Sequence, residues 1–313
     1  MAHDLGGPLL NFYSHFVSSK KIQWKPLYWQ GHTFSNPIGI GGGLDKNGEQ
    51  LLAWQKMGVG FLEVGTVTPE AQAANPAPII DRHLSELTLW NKMGFPNKGS
   101  KALFKKLENF QKAKQVPLFI NIGKNRETPI EQSHDDYLYL IERLHPFADA
   151  FVVNISSPNT KNLRQIFSSQ YLHDFLLPIS NLCQKLKKPY LLKLSPDLND
   201  KDFFHVIETS RKLSVAGWIM SNTTLHRPPQ SHWPQEGGLS GLALQPLAEN
   251  MLKKIVMHLG SEKSKYLIIS TGGILTQDDF FKRLEMGADL VQAYAAFVFH
   301  GPQWAQQTCP SVP

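Results

Sequence analysis

Eight short, almost uninterrupted apolar runs, separated by amphipathic stretches, constrain this chain more than any other feature. They occupy residues 37–41 (PIGIG), 61–67 (FLEVGTV), 117–123 (PLFINIG), 151–156 (FVVNIS), 190–195 (YLLKLS), 217–223 (GWIMSNT), 266–272 (YLIISTG) and 290–297 (LVQAYAAF). Each is too short for a typical helix and nearly continuous in apolar residues, as expected of a strand buried on both faces of a parallel sheet. Residues 49–57, 101–112, 136–144, 200–213, 244–259 and 277–286 instead space apolar residues every third or fourth position. Such stretches are helices with one face to bury. Repeated βα units imply a parallel sheet with right-handed crossovers. Eight of them suggest closure into an α/β fold of the (β/α)8 TIM-barrel type. An open doubly wound sheet is the alternative, because strand order is not written in a sequence.

This reading divides the 313 residues into a short N-terminal helical or extended segment (1–35), the barrel (36–302) and a tail expected to be loose (303–313). Within the first segment, residues 8–18 (PLLNFYSHFVS) form an apolar, aromatic helix candidate. It suits either a membrane surface or the bottom of the barrel. Residues 69–98 and 228–241, rich in Pro or Gly, read as long excursions above the barrel.

A chain 42% hydrophobic and 19% charged is not disordered. Its net charge of +6 comes without an arginine-rich run, and the pairs Lys20-Lys21 and Lys187-Lys188 read as solvated ends. An anionic small-molecule substrate therefore fits better than nucleic acid, and no nucleic-acid partner is expected. Cys183, in a helical stretch, and Cys309, in the tail, match no metal-ligand spacing and suit a reducing compartment. His83, His226 and His232 fall in loops and read as surface residues, so no metal is expected. No apolar run reaches membrane-spanning length, and the N-terminus lacks a signal-peptide pattern. The expected location is the cytoplasmic side, soluble or peripherally attached to a membrane.

Barrel chemistry belongs at the C-terminal ends of the strands. There the chain places Gly42, Gly43 and Lys46, then Thr66, Asn121, Asn154, Ser156, Ser157, Lys193, Ser221, Asn222 and Thr223. Amides and hydroxyls suit a ligand with many carbonyl and ring N–H groups. Two lysines in one mouth call for negative charge. Gly237–Gly241, Gly272-Gly273 and Tyr294-Ala295 follow strands six, seven and eight. Small residues there let backbone N–H groups approach a phosphate.

Seven strings carry a resemblance: GLDKNG at 43–48, EVGTVTP at 63–69, NKMGF at 91–95, NIGKN at 121–125, NISSPNT at 154–160, SNTT at 221–224 and GGLSG at 237–241. Together, and in unbroken order over residues 24–302, they resemble dihydroorotate dehydrogenase, in its class 2, membrane-associated, quinone-using branch. The resemblance implies oxidation of dihydroorotate to orotate, with electrons passed to a quinone. It implies FMN held by Gly42, Gly43, Lys46, Thr66, Asn121, Asn154, Lys193, Ser221, Ser240, Gly241, Gly272, Gly273, Tyr294 and Ala295. Lys193 would stabilise negative charge on the flavin after reduction. Lys46, Asn91, Gly94, Phe95, Asn154, Asn159, Asn222 and Thr223 would hold the pyrimidine and its carboxylate. Ser157 would be the catalytic base, where the class 1 branch uses cysteine.

The chain departs from the pattern at the quinone end. The N-terminal helical pair is shorter, Ile79 stands where the family has arginine, and Lys92 replaces another arginine. Leu242-Ala243 follows the GLSG string in place of Arg-Pro, and Ala295 replaces a hydroxyl residue. A weakened second half-reaction or an altered acceptor is one expectation. Two other readings stay open at this point. One is another FMN barrel such as a tRNA dihydrouridine synthase, for which a top-loop cysteine is missing. The other is a paralogue that binds flavin or pyrimidine without turnover, which the presence of Ser157, Lys193 and Lys46 argues against.

Overall fold

The computed structural model describes residues 2–16, 22–159, 163–167 and 169–309. Val17 and Ser18 of the helix candidate, the Lys20-Lys21 pair, Thr160 of the NISSPNT string and residues 310–313 lie outside the described residues.

The eight apolar runs form one sheet of eight parallel strands. In chain order these are β1 (Ile38–Ile40), β2 (Leu62–Val67), β3 (Leu118–Ile122), β4 (Ala150–Asn154), β5 (Tyr190–Lys193), β6 (Gly217–Met220), β7 (Leu267–Thr271) and β8 (Leu290–Ala293). Each pairs with its neighbours in sequence, β8 pairs with β1, and bridges Gly39 to Phe61 and Asp45 to Val64 close β1 onto β2. The sheet is therefore a barrel, and the open alternative is excluded. A helix follows each strand: α1 (Leu51–Lys56), α2 (Gly99–Gln111), α3 (Ser133–Leu144), α4 (Ser169–Lys185), α5 (Asp200–Lys212), α6 (Gln245–Leu259), α7 (Gln277–Glu285) and α8 (Ala295–His300). The run 290–297 is thus half strand and half helix, because its small apolar residues satisfy either period.

Strand side chains alternate between two cores. Leu62, Val64, Leu118, Ile120, Val153 and Leu192 face the helices. Phe61, Phe119, Val152, Leu191, Ile219 and Leu290 fill the barrel interior. The bottom is plugged by an antiparallel hairpin, Leu27–Trp29 with His32–Phe34. Phe34, fully buried, meets the rings of Phe61 and Phe119 at 5.7 and 5.9 Å.

The N-terminal helix, Ala2–Tyr13, starts earlier than the pattern implied and does not cross the barrel bottom. Asn11 donates to the carbonyl of Glu49 at 3.1 Å, and Lys56 reaches the Ser14 carbonyl, which docks this segment beside α1. Leu9, Phe12 and Phe16 remain exposed. Residues 303–309 are not loose. Trp304–Thr308 is helical, and the buried Trp304 indole donates to Leu275 O at 2.8 Å. An indole able to satisfy its N–H holds down a segment that has no periodic pattern. Among the described residues, no helix is long and apolar enough to cross a membrane.

The two top-face excursions meet. Ile80–His83 and Thr88–Asn91 from the first pair with Gly238–Gly241 from the second in a three-stranded antiparallel sheet. Lys92 and Glu236 add an ion pair between them at 2.5 Å.

Candidate active site

A cavity with about 1030 Å³ of empty space, part of it open to solvent, lies at the C-terminal ends of the strands under this sheet. Its floor follows from the period of two. One step beyond the apolar layer, the inward positions of the same strands turn polar: Phe61 leads to Glu63, Phe119 to Asn121, Val152 to Asn154, Leu191 to Lys193 and Leu290 to Gln292. Glu63 is the centre of this layer and is fully buried. Its Oε1 accepts from Asn121 Nδ2 at 2.6 Å and from Lys193 Nζ at 3.3 Å, and its Oε2 accepts from Gln292 Nε2. A carboxylate this deep persists because a cation and two amides satisfy it. Gly42 passes directly over it, and a Cβ there would stand 2.1 Å from Glu63 Oε1, so only glycine fits.

Above the floor, amides and hydroxyls interlock. Thr66 Oγ1 donates to Asn121 Oδ1 at 2.7 Å and accepts from Asn154 Nδ2 at 2.9 Å. Asn222 Nδ2 donates to Ser156 Oγ at 2.9 Å, and Thr223 N donates to Asn222 Oδ1 at 2.8 Å. Ser157, 5% exposed, has its Oγ as acceptor for the Asn159 N–H at 3.2 Å. Asn159 Nδ2 donates to Asn91 Oδ1 at 3.0 Å, which joins the β4 loop to the top sheet. Phe95 sits in the left-handed region at φ +56, a conformation that costs a non-glycine residue about 1 kcal/mol or more. Its carbonyl accepts from Gln72 at 3.1 Å and Asn97 at 2.9 Å, which hold it there.

Lys46 Nζ donates to the Gly43 carbonyl at 2.8 Å beside the cavity. Its neighbour Asp45, 1% exposed, accepts from the backbone N–H groups of Glu49 at 2.9 Å and Gln50 at 2.8 Å and so ties the loop to the start of α1. Burial outweighs those hydrogen bonds and pushes its carboxyl up to about 6. Burial likewise pushes the Tyr294 phenol, on the cavity wall, up to about 12 and keeps it neutral.

Of the residues expected to hold the flavin, hold the pyrimidine or act as base, all line this cavity except Asn121, which lies in the floor layer and reaches the wall through Thr66 and Asn154. Reading strand ends alone missed Glu63 and Gln292, though it included Thr271. Counting by two from Phe61 and Leu290 would have found both. Met93, Pro96, Leu244 and Ile274 also line the wall, with no polar signal to mark them.

The family model for dihydroorotate dehydrogenase matches residues 28–313. The chain belongs to the dihydroorotate dehydrogenase family. It is 40% identical over 275 residues to the dihydroorotate dehydrogenase (quinone) of Thermus thermophilus, covering 87% of this chain and 78% of that one. It is 38% identical over 298 residues to the namesake of Pectobacterium atrosepticum, covering 92% and 87%. These relatives place it in the class 2 branch of dihydroorotate dehydrogenases. Solved structures agree. The Eimeria tenella DHODH superposes with a TM-score of 0.89 in its ligand-free form, at 28% identity over 97% of this chain and 92% of that one. Its complex with ferulenol gives 0.88 at 29% identity, over 98% and 88%.

The cavity fits the flavin of a dihydroorotate dehydrogenase. Two buried acceptors on it, Gln292 Oε1 and Asn159 Oδ1, have no hydrogen-bond partner among the described residues. Buried acceptors of this kind need N–H donors, which a pyrimidine and an isoalloxazine ring supply. Gly273, at φ +69, passes so close to Gln245 that a Cβ would sit 2.4 Å from its Cα. Backbone alone therefore forms that corner of the cavity.

Proposed function

We propose that this protein oxidises dihydroorotate to orotate in pyrimidine biosynthesis, with FMN as its flavin and a quinone as electron acceptor. The observation that carries the reading is the convergence of Ser157, Lys46, Lys193 and a ring of amides on one cavity, in a chain of this family. FMN supplies a hydride acceptor for the substrate and carries the electrons to the quinone. The glycine corner at Gly272-Gly273 beside Ala295 suits its single phosphate. Thr66, Asn154, Ser221, Ser240 and Gly241 line the rest of the flavin's place, and Asn121 supports it from below.

Ser157 takes the proton from C5 of the substrate. A free serine hydroxyl is a poor base. As Oγ takes the C5 proton, the hydroxyl must pass its own proton on to a water relay, and the Asn159 N–H at 3.2 Å holds Oγ in place for that exchange. At 5% exposure, little water competes for it. Asn91, Asn159, Asn222 and Thr223 orient the pyrimidine by its carbonyl and N–H groups, while Gly94 and Phe95 shape the space around it. Lys46 faces the substrate carboxylate, and Lys193, anchored on Glu63, holds positive charge against the flavin ring. The exposed Leu9, Phe12 and Phe16 make the N-terminal helix a peripheral membrane contact on the cytoplasmic side, where a quinone is reached.

The decisive experiment mixes the purified yellow protein with dihydroorotate without oxygen. Loss of the flavin colour is expected, followed by its return with a short-chain quinone. A flavin that stays oxidised overturns the reading. Reoxidation by fumarate but not by quinone would overturn the acceptor alone.

A further inference from the structure

At the outer rim of the top sheet, two loops far apart in sequence bring two imidazoles to one carboxylate. His83 ends the strand Ile80–His83, Glu86 lies in the turn after it, and His232 comes from the loop before Gly238–Gly241. The Nδ1 atoms of His83 and His232 each stand 3.6 Å from the same oxygen, Oε1 of Glu86. The three ligand atoms all lie within 4.8 Å of one another. A separation of 3.6 Å is too long for a hydrogen bond. It is close to the ~3.3 Å edge of a tetrahedron built on metal–ligand bonds of about 2.0–2.1 Å. The other oxygen of the carboxylate is already occupied: the Trp233 indole Nε1, on a buried ring, donates to Oε2 at 3.1 Å. That ring also lies 4.6 Å from the His232 ring, tilted by 34°. One tryptophan thus orients both a carboxylate and an imidazole, the role that outer groups play around metal ligands. The side chains of His83, Glu86 and His232 are 45%, 41% and 55% exposed, which leaves solvent access for a fourth ligand.

We propose that His83, Glu86 and His232 bind a divalent transition-metal ion of the zinc type. Two imidazoles and a carboxylate favour zinc and its borderline neighbours over magnesium or calcium, which take mostly oxygen. The ion ties the turn at 83–86 to the loop at 228–237. Those segments lead into the strands that carry Asn91, Ser240 and Gly241 to the cavity wall, so the ion stiffens the cover of the active site. Sequence spacing hid the site, since His83 and His232 are brought together only by the pairing of the two excursions.

Metal binding at this rim can be read without turnover at the cavity. Tag-free, chelator-treated holoprotein is titrated with zinc by calorimetry and with cobalt(II), whose visible absorption reports tetrahedral coordination. One equivalent is expected to bind, at least tenfold more tightly than to His232→Ala or Glu86→Gln, and to raise the melting temperature of the unaltered protein only. Circular dichroism checks that each variant is folded, and if His232→Ala is not, Glu86→Gln decides. Absence of saturable binding, or equal affinity in the unaltered protein and the folded variant, overturns the proposal.

Discussion

Ser157 and Glu63 show how differently two buried polar residues contribute to one site. In the proposed mechanism Ser157 meets the substrate, and its hydroxyl can be removed without disturbing the floor. In Ser157→Ala, rapid-mixing measurement of flavin reduction by dihydroorotate should slow by roughly 10²–10⁴-fold, with FMN still bound. An unchanged rate would remove serine from the mechanism. Glu63 touches no solvent and balances Lys193. Glu63→Gln keeps an acceptor for Asn121 but leaves a buried ammonium unpaired, at a cost of about 3–5 kcal/mol. Urea unfolding should show that loss, and adding Lys193→Met should recover much of it. Equal losses in the single and double variants would mean that the ion pair is not the source. Asp45 predicts a pH dependence. Its carboxyl is raised in the folded state, so ionisation opposes folding: its contribution is full below about pH 4 and lost as pH rises through about 6. The difference is on the order of 3 kcal/mol. Asp45→Asn should flatten the change in urea midpoint between those pH values, and an unaltered slope would assign the titration elsewhere.

At the scale of elements, the barrel separates stability from chemistry along its axis. The hairpin Leu27–Trp29/His32–Phe34 closes the bottom with an aromatic plug, while the polar layer and the top sheet make the site. Phe34→Ala should therefore cost about 3–5 kcal/mol in chemical unfolding. Flavin reduction well below the melting temperature should keep its rate, because Phe34 lies under two layers of side chains. A rate that falls in step with stability would show that the bottom and the top are coupled. The top sheet does the opposite work. Its strands come from two excursions that look irregular in sequence: Ile80–His83 pairs with Thr88–Asn91 within the first, and Gly238–Gly241 of the second completes the sheet on Thr88–Asn91.

At the scale of the whole molecule, an apolar patch lies outside the closed barrel, on the N-terminal helix and the turn after it, docked beside α1. Phe12 and Phe16 are 66% and 73% exposed, with their rings 5.1 Å apart. Replacing both with serine should abolish co-sedimentation with lipid vesicles and leave reduction by dihydroorotate intact. Persistent vesicle binding would place the membrane contact elsewhere. The sequence by itself determined the βα repeat, the place of each strand and the polar residues at the strand ends. These are local properties: a side-chain period and a burial pattern are set by the residues of one segment. Tertiary structure alone decided the rest. Barrel closure, the docking of the N-terminal helix, the seating of Trp304, the capture of Lys193 by Glu63 and the meeting of His83 with His232 join residues distant in the chain. Their pairing depends on where the whole backbone runs, and no single segment carries that information.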